Sequence, residues 1–291
     1  MTIQKILVPF LTTQAGISAL EAGVVFAKHY KAHLDVVHLR RQLQIPAGSY
    51  YPIAASYIEQ NVDALKKAQS ELAADLEKLF IKIINDRGVN VLENEEHDQS
   101  KGATATWSDL DAKLAYDLAT RARVADMVVM ARRAGKTVSY EIDLMEDIIF
   151  QSGRPALVVD TEQELTAFPK TVMLAWDGGR ESARAMSAAL PVLKQADMVI
   201  VTTIGDMGWA TEPPEHAAAF LKLHDVHATH LHARIDKKDD SAEVFLDHVE
   251  KKNADLVVMG AYSHHRWREV LLGGFTRHLL QNSQLPLLLS H

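Results

Sequence analysis

The sequence predicts an α/β protein built from two doubly wound, five-stranded parallel-sheet domains set end to end in one chain. Three observations carry this. Short apolar runs rich in branched residues alternate with stretches of helical periodicity, the pattern of a parallel sheet covered on both faces. The pattern restarts at Lys170, where Lys170-Thr171-Val172-Met173-Leu174-Ala175-Trp176 echoes the stretch from Lys5 to Phe10. Finally, Ala125-Asp126-Met127-Val128-Val129-Met130-Ala131 is matched by Ala254-Asp255-Leu256-Val257-Val258-Met259-Gly260, and each is followed about 25 residues later by a proline and a short apolar run. A repeat this long means two copies of a domain, not a solenoid. It places the domains at 1–162 and 168–291.

In chain order, 5–10 reads as a buried strand, 17–30 as a helix and 34–39 as a second strand. A loop over 40–57 carries Pro46, Gly48 and Pro52. A long amphipathic helix follows over 58–87, with Leu65, Leu72, Leu76, Leu79 and Ile83 on one side and Gly88 as its cap. Residues 89–92 read as a weak strand, and 108–124 as a helix begun by Ser108 or Asp109. Strands at 126–130 and 156–159 close the first half. The second half gives strands at 170–176, 197–203, 226–233, 255–259 and 286–290. Its helices fall at 181–195, 213–224 and 241–252, with a last one after Gly274.

Composition narrows the function. The 291 residues carry a formal net charge of −7, which argues against general affinity for nucleic acid or anionic membranes. With no cysteine, disulfides, thiol catalysis and thiolate-held zinc are excluded. Apolar runs are too short for a signal sequence or a membrane span, so the expectation is a cytoplasmic protein.

The stretch with chemical content is Asp255 to Thr276. A branched strand ends at Gly260, a polar loop follows, and Gly273-Gly274 precede the helix Phe275-Thr276-Arg277-His278-Leu279-Leu280-Gln281. Glycines at a strand end and at a helix N-terminus are the parts of an anion site, because free backbone N–H groups and the positive end of the helix dipole converge there. The same glycines fit a reading in which they serve turn and cap geometry alone. Neither the Walker nor the dinucleotide glycine pattern occurs.

These residues resemble the universal stress protein family in its two-domain form. Val257-Val258-Met259-Gly260-Ala261-Tyr262-Ser263-His264, Leu271-Leu272-Gly273-Gly274-Phe275-Thr276 and the ending Pro286-Leu287-Leu288-Leu289-Ser290-His291 carry the resemblance. The stretch from Ala175 to Ala185 is similar to the family's first loop and helix. The resemblance implies the strand order 3-2-1-4-5 and a ligand in the crevice where that order reverses. It implies an adenine nucleotide (ATP, ADP or AMP, with or without Mg²⁺) held by Trp176, Asp177, Gly260, Ser263, His264, Gly273, Gly274, Phe275 and Thr276. The family's ATP-binding members carry Gly, two residues, Gly, nine residues, Gly, then Ser or Thr. Here Ser263 replaces a glycine and Gly274 replaces the hydroxyl residue, with Thr276 close enough to substitute. The resemblance further implies a stress-response regulator with at most weak ATPase activity, whose domains pair through their last strands as an internal pseudo-dimer. Homodimerisation is left open.

Other readings stand beside this one. Asp177 is either a ribose or adenine acceptor or an Asp-Gly turn residue. His264, His265, Arg266 and Arg268 are either cations beside a phosphate or an exposed polar loop. His227, His230 and His232 are either a zinc set without cysteine or an edge-strand face. The first half is expected to hold no phosphate. Ala131 and Ala134 stand at its glycine positions, Phe10-Leu11 replace the polar edge, and Glu141, Asp143, Glu146 and Asp147 fill the loop or a solvated helix start. A slow ATP hydrolase and a nucleotide-free scaffold are the alternatives to a nucleotide-binding regulator.

Overall fold

The computed structural model describes residues 2–10, 13–41, 52–94, 100, 102–112, 115–133, 139–206, 212–236, 240–261 and 274–291. The first half runs β1 (Lys5–Phe10), α1 (Thr13–Tyr30), β2 (His33–Arg41), α2 (Pro52–Asp86), β3 (Asn90–Val91), β4 (Thr104–Ala112), α3 (Ala115–Ala122), β5 (Met127–Arg132), α4 (Ser139–Ser152) and β6 (Ala156–Asp160). The second runs β7 (Thr171–Ala175), α5 (Arg180–Leu193), β8 (Met198–Ile204), α6 (Pro214–Leu223), β9 (Ala228–Ala233), α7 (Ser241–Lys251), β10 (Leu256–Gly260), α8 (Gly274–Asn282) and β11 (Leu287–Ser290).

Among the described residues all strands join one 11-stranded sheet, in the order β3-β4-β2-β1-β5-β6-β11-β10-β7-β8-β9. Setting aside the two-residue β3, each half has the order third, second, first, fourth, fifth. The halves meet where β6 pairs antiparallel with β11, placing Leu157 opposite Leu288. Every other pairing is parallel. Apolar side chains cover both faces, and each cluster crosses the seam: Ile6, Val8, Val172 and Leu174 lie in one, Leu7, Val128, Met173 and Val257 in the other.

The repeated Ala-Asp pair does the same work in each half. Asp126 Oδ2 accepts the N–H groups of Gln4 and Lys5 at 2.7 and 3.0 Å. Asp255 Oδ2 accepts those of Lys170 and Thr171, both at 2.9 Å. Each carboxylate, just before the fourth strand, fixes the entry to the first.

The structure corrects several expectations in the first half. The expected helix over 108–124 opens as strand: β4 runs to Ala112 and α3 begins only at Ala115. Thr104, Thr106 and Trp107 favour strand, and buried partners fix it. His33 bonds Thr104 Oγ1 at 2.9 Å and Thr106 Oγ1 at 3.0 Å, and His38 Nδ1 lies 3.0 Å from Asp109 Oδ1. The expected weak strand over 89–92 is therefore an extra edge strand, and the described residues of this half form six strands where five are expected. The loop expected over 40–57 shrinks, because β2 extends to Arg41 and α2 begins at Pro52. The side of α2 that packs inward is Ala73, Leu76, Phe80 and Ile84, whereas Leu65 and Leu72 are half exposed. Gly88 ends this helix at φ +67°, a left-handed cap.

Candidate functional site

Strand order reverses between β7 and β10, and outside their carboxyl ends lies a cavity of about 380 Å³. Trp176 and Asp177 form its wall after β7, and Gly260 closes the end of β10. Gly274, Phe275 and Thr276, the first turn of α8, face it from across the loop. The volume is in the range of small-molecule sites, about 300–1,000 Å³.

Trp176 is fixed at every polar atom. Its N–H donates to the Thr202 carbonyl at 2.9 Å, its carbonyl accepts from Thr203 Oγ1 at 2.7 Å, and its indole N–H donates to the Glu212 carbonyl at 2.7 Å. It offers a ligand an apolar ring face and no donor. Asp177 makes a turn: Oδ1 accepts the Gly179 N–H at 2.8 Å, and Gly178 takes φ +73°. The turn delivers the chain into α5, where Ser182 Oγ donates to the Gly179 carbonyl at 2.9 Å.

Gly260 is required by packing. A Cβ there would stand 2.6 Å from the Glu181 carbonyl carbon and 2.7 Å from the Ser182 nitrogen, so any side chain meets the backbone of α5. Among the described residues a Cβ at Gly274 would meet nothing within 4 Å. The first residues of a helix have no intrahelical partner for their N–H groups, so the opening of α8 brings donors and a partial positive charge to the cavity. Thr276 is 5% exposed, and Phe275 sets its ring at 72° to Phe245, 5.4 Å away. Ser263, His264 and Gly273 lie outside the described residues, as do His265, Arg266 and Arg268.

The family model that describes the universal stress protein family matches residues 169–291. The second half is a universal stress protein domain. Two solved structures of such proteins share the fold across both halves. A universal stress protein from Archaeoglobus fulgidus DSM 4304 superposes with a TM-score of 0.63 at 14% identity, covering 98% of this chain and 95% of its own. A putative universal stress protein from Pseudomonas aeruginosa UCBPP-PA14 gives 0.54 at 14% identity, covering 99% and 93%. At this identity the likeness is one of fold. No curated protein sequence matches the chain.

In the universal stress protein domain several lining residues carry no motif that sequence reasoning could use. Thr202 and Ile204 face the cavity because strand alternation turns the end of β8 that way, and Ser241 and Phe245 because α7 begins beside it. Asp240 caps that helix by accepting the Ala242 N–H at 2.8 Å, a signal that locates Ser241 but says nothing of its role.

The first half presents a phenyl ring where the universal stress protein domain presents Trp176-Asp177. Phe10 presses on α1 so closely that a Cβ on Gly16 would stand 2.6 Å from the ring, and it packs edge-on to Trp107 at 5.5 Å. Ala131 occupies the position of Gly260 and is buried, while Ala134 lies outside the described residues. Glu146 and Asp147 sit in the middle of α4, with Glu146 only 6% exposed, so they are not a solvated helix start. The side chains of Glu141 and Asp143 lie outside the described residues.

In the alternative zinc set each histidine has its own partner. His227 Nδ1 bonds the Asp197 carbonyl at 2.9 Å, His230 Nε2 lies 3.5 Å from Glu215, and His232 Nε2 bonds the Gly205 carbonyl at 2.8 Å. Three rings on three separate partners form no shared site, and among the described residues no group of three ligands fit for a metal occurs. Strand alternation predicts a shared face for two of them but not convergence of the ring nitrogens. Among the described residues no helix is long and apolar enough to cross a membrane.

Proposed function

We propose that the second half binds an adenine nucleotide in the cavity between β7, β10 and α8, and that the protein works as a nucleotide-responsive regulator of the stress response with little or no catalysis. One observation carries the reading. The crevice at the reversal point is lined together by Trp176, Asp177, Gly260, Gly274, Phe275 and Thr276, and it opens on the N-terminus of α8. An apolar wall of Trp176 and Phe275 suits a base, and the first turn of α8 suits a phosphate. Thr276 lines the same cavity, and its hydroxyl would supply the donor that Gly274 lacks.

The test is titration of the full chain with ATP and Mg²⁺ by calorimetry, beside Gly274→Asp. Aspartate is well tolerated at a helix start and meets none of the described residues here, so the fold survives while a carboxylate faces the phosphates. Saturable binding in the wild type that the variant loses supports the proposal. Equal binding, or none, contradicts it. A second reading, a nucleotide-free scaffold, draws on one observation: packing against α5 demands glycine at 260 whether or not a ligand binds. It predicts no heat with any adenine nucleotide.

A further inference from the structure

The two halves differ most sharply at the residue after the fourth strand's glycine position. The second half has Ala261 there, and the first has Arg132, the last residue of β5. Arg132 is 1% exposed. It reaches past β6 to the other half, where Nη2 donates to the Ser283 carbonyl at 2.6 Å and approaches the Leu279 carbonyl at 3.4 Å. Those carbonyls belong to the closing turn of α8, where a cation complements the helix dipole. The opening turn of the same short helix lines the cavity.

As a stabilising device this arginine is poorly made. Among the described residues, neither Nε nor Nη1 has a partner. Burial pulls its guanidinium down to about 10, against the opposing influence of Asp160, which pairs with it across β5 and β6. A buried cation with idle donors costs stability relative to an apolar side chain of similar shape. A second contact runs the same way. Phe150, on α4 of the first half, meets the ring of His291 edge-on at 4.6 Å, and His291 Nδ1 lies 3.0 Å from the carbonyl of Ala261, the residue after Gly260.

We infer that the first half braces the α8 and β10 sides of the second-half cavity, with Arg132 as the positioning residue that holds α8 at its far end. The inference rests on the nucleotide reading of that cavity. The first half is then a regulatory part of the site without binding the ligand. By linkage, whatever loosens the seam weakens binding, and binding tightens the seam.

Full-length Arg132→Met and Arg132→Lys test this by calorimetry with ATP and Mg²⁺, thermal melting, and amide exchange over 279–283. The expected result for Arg132→Met is a melting temperature close to wild type, ATP binding weakened about tenfold, and faster exchange at the end of α8. Arg132→Lys keeps a cation and recovers part of the affinity. Wild-type affinity in Arg132→Met overturns the inference. So does an affinity loss that simply follows a falling melting temperature in both variants, which makes Arg132 a stability element. If the wild type itself binds no ATP, the nucleotide reading fails by that result. The brace is then judged by exchange alone, and unchanged exchange over 279–283 in Arg132→Met overturns it.

Discussion

The two halves share a strand order and an aspartate that pins the first strand, yet they have spent the same crevice differently. In the second half the chain leaves β7 through an Asp-Gly turn and the crevice is a cavity. In the first half it leaves β1 through Phe10, whose ring packs between Gly16 and Trp107. The strands teach the same lesson one step inward. Asp35 on β2 pairs in register with Leu7, and the matching residue on β8, opposite Met173, is Ile200. Burial pushes the Asp35 carboxyl up, but Arg121 and Lys5 outweigh it and hold the group below the usual carboxylate range. One half carries a buried ion cluster and a filled crevice, the other an apolar centre and an open one.

The largest effect expected from this contrast is that of Phe10→Ala. It removes the filling ring and costs about 3–5 kcal/mol in chemical denaturation. It confers no second nucleotide site, because α4, the counterpart of α8, carries Glu141, Asp143, Glu146 and Asp147 where α8 carries no acid. A gain of ATP binding would erase the proposed distinction between the halves. Asp35→Asn follows, at about 3 kcal/mol, since it strips a buried partner from Arg121 and Lys5. The pH sign is fixed by the same cluster. A carboxyl with a lowered folded pKa contributes stability above its unfolded value near 3.8, and that contribution is lost as pH falls below it. Amide exchange in acid is therefore expected to rise in β1 and β2 before β7 and β8. The reverse order would sink the assignment.

Gly260→Ala is expected to cost about 1–3 kcal/mol, because the new methyl meets the α5 backbone. Ala131→Gly in the first half should cost less than Gly260→Ala, since a buried methyl already fits there. The smallest and best-matched pair is Asp126→Asn and Asp255→Asn. Each keeps one oxygen acceptor, and each should lose about 1 kcal/mol. A large difference in melts between the two would mean that the pinning is not shared.

Much of the fold was legible because two copies of a pattern check each other. The runs at 125–131 and 254–260 locate the fourth strands, and the prolines at 155 and 286 locate the fifth. The failure over 108–124 has a physical cause. Asp109 there meets the buried His38 across β2, a tertiary demand that periodicity cannot show. The cavity lining was legible at Gly260, Gly274 and Trp176-Asp177. It was not legible at Thr202, Ser241 or Phe245, which become lining residues only through alternation and helix placement. Face-sharing along β9 likewise says nothing about where each histidine ring finds its partner. Arg132 was invisible for a related reason: its partners lie 147 and 151 residues away, in the other half.

The central claim is one live crevice in a chain with two. The most direct measurement is the nucleotide content of full-length protein saturated with ATP and freed of excess, counted by extraction and mass spectrometry, with Phe10→Ala and Gly274→Asp beside it. The account predicts one nucleotide per chain in the wild type and in Phe10→Ala, and none in Gly274→Asp. Two per chain, or one that persists in Gly274→Asp, would place a ligand outside the second-half cavity and contradict it.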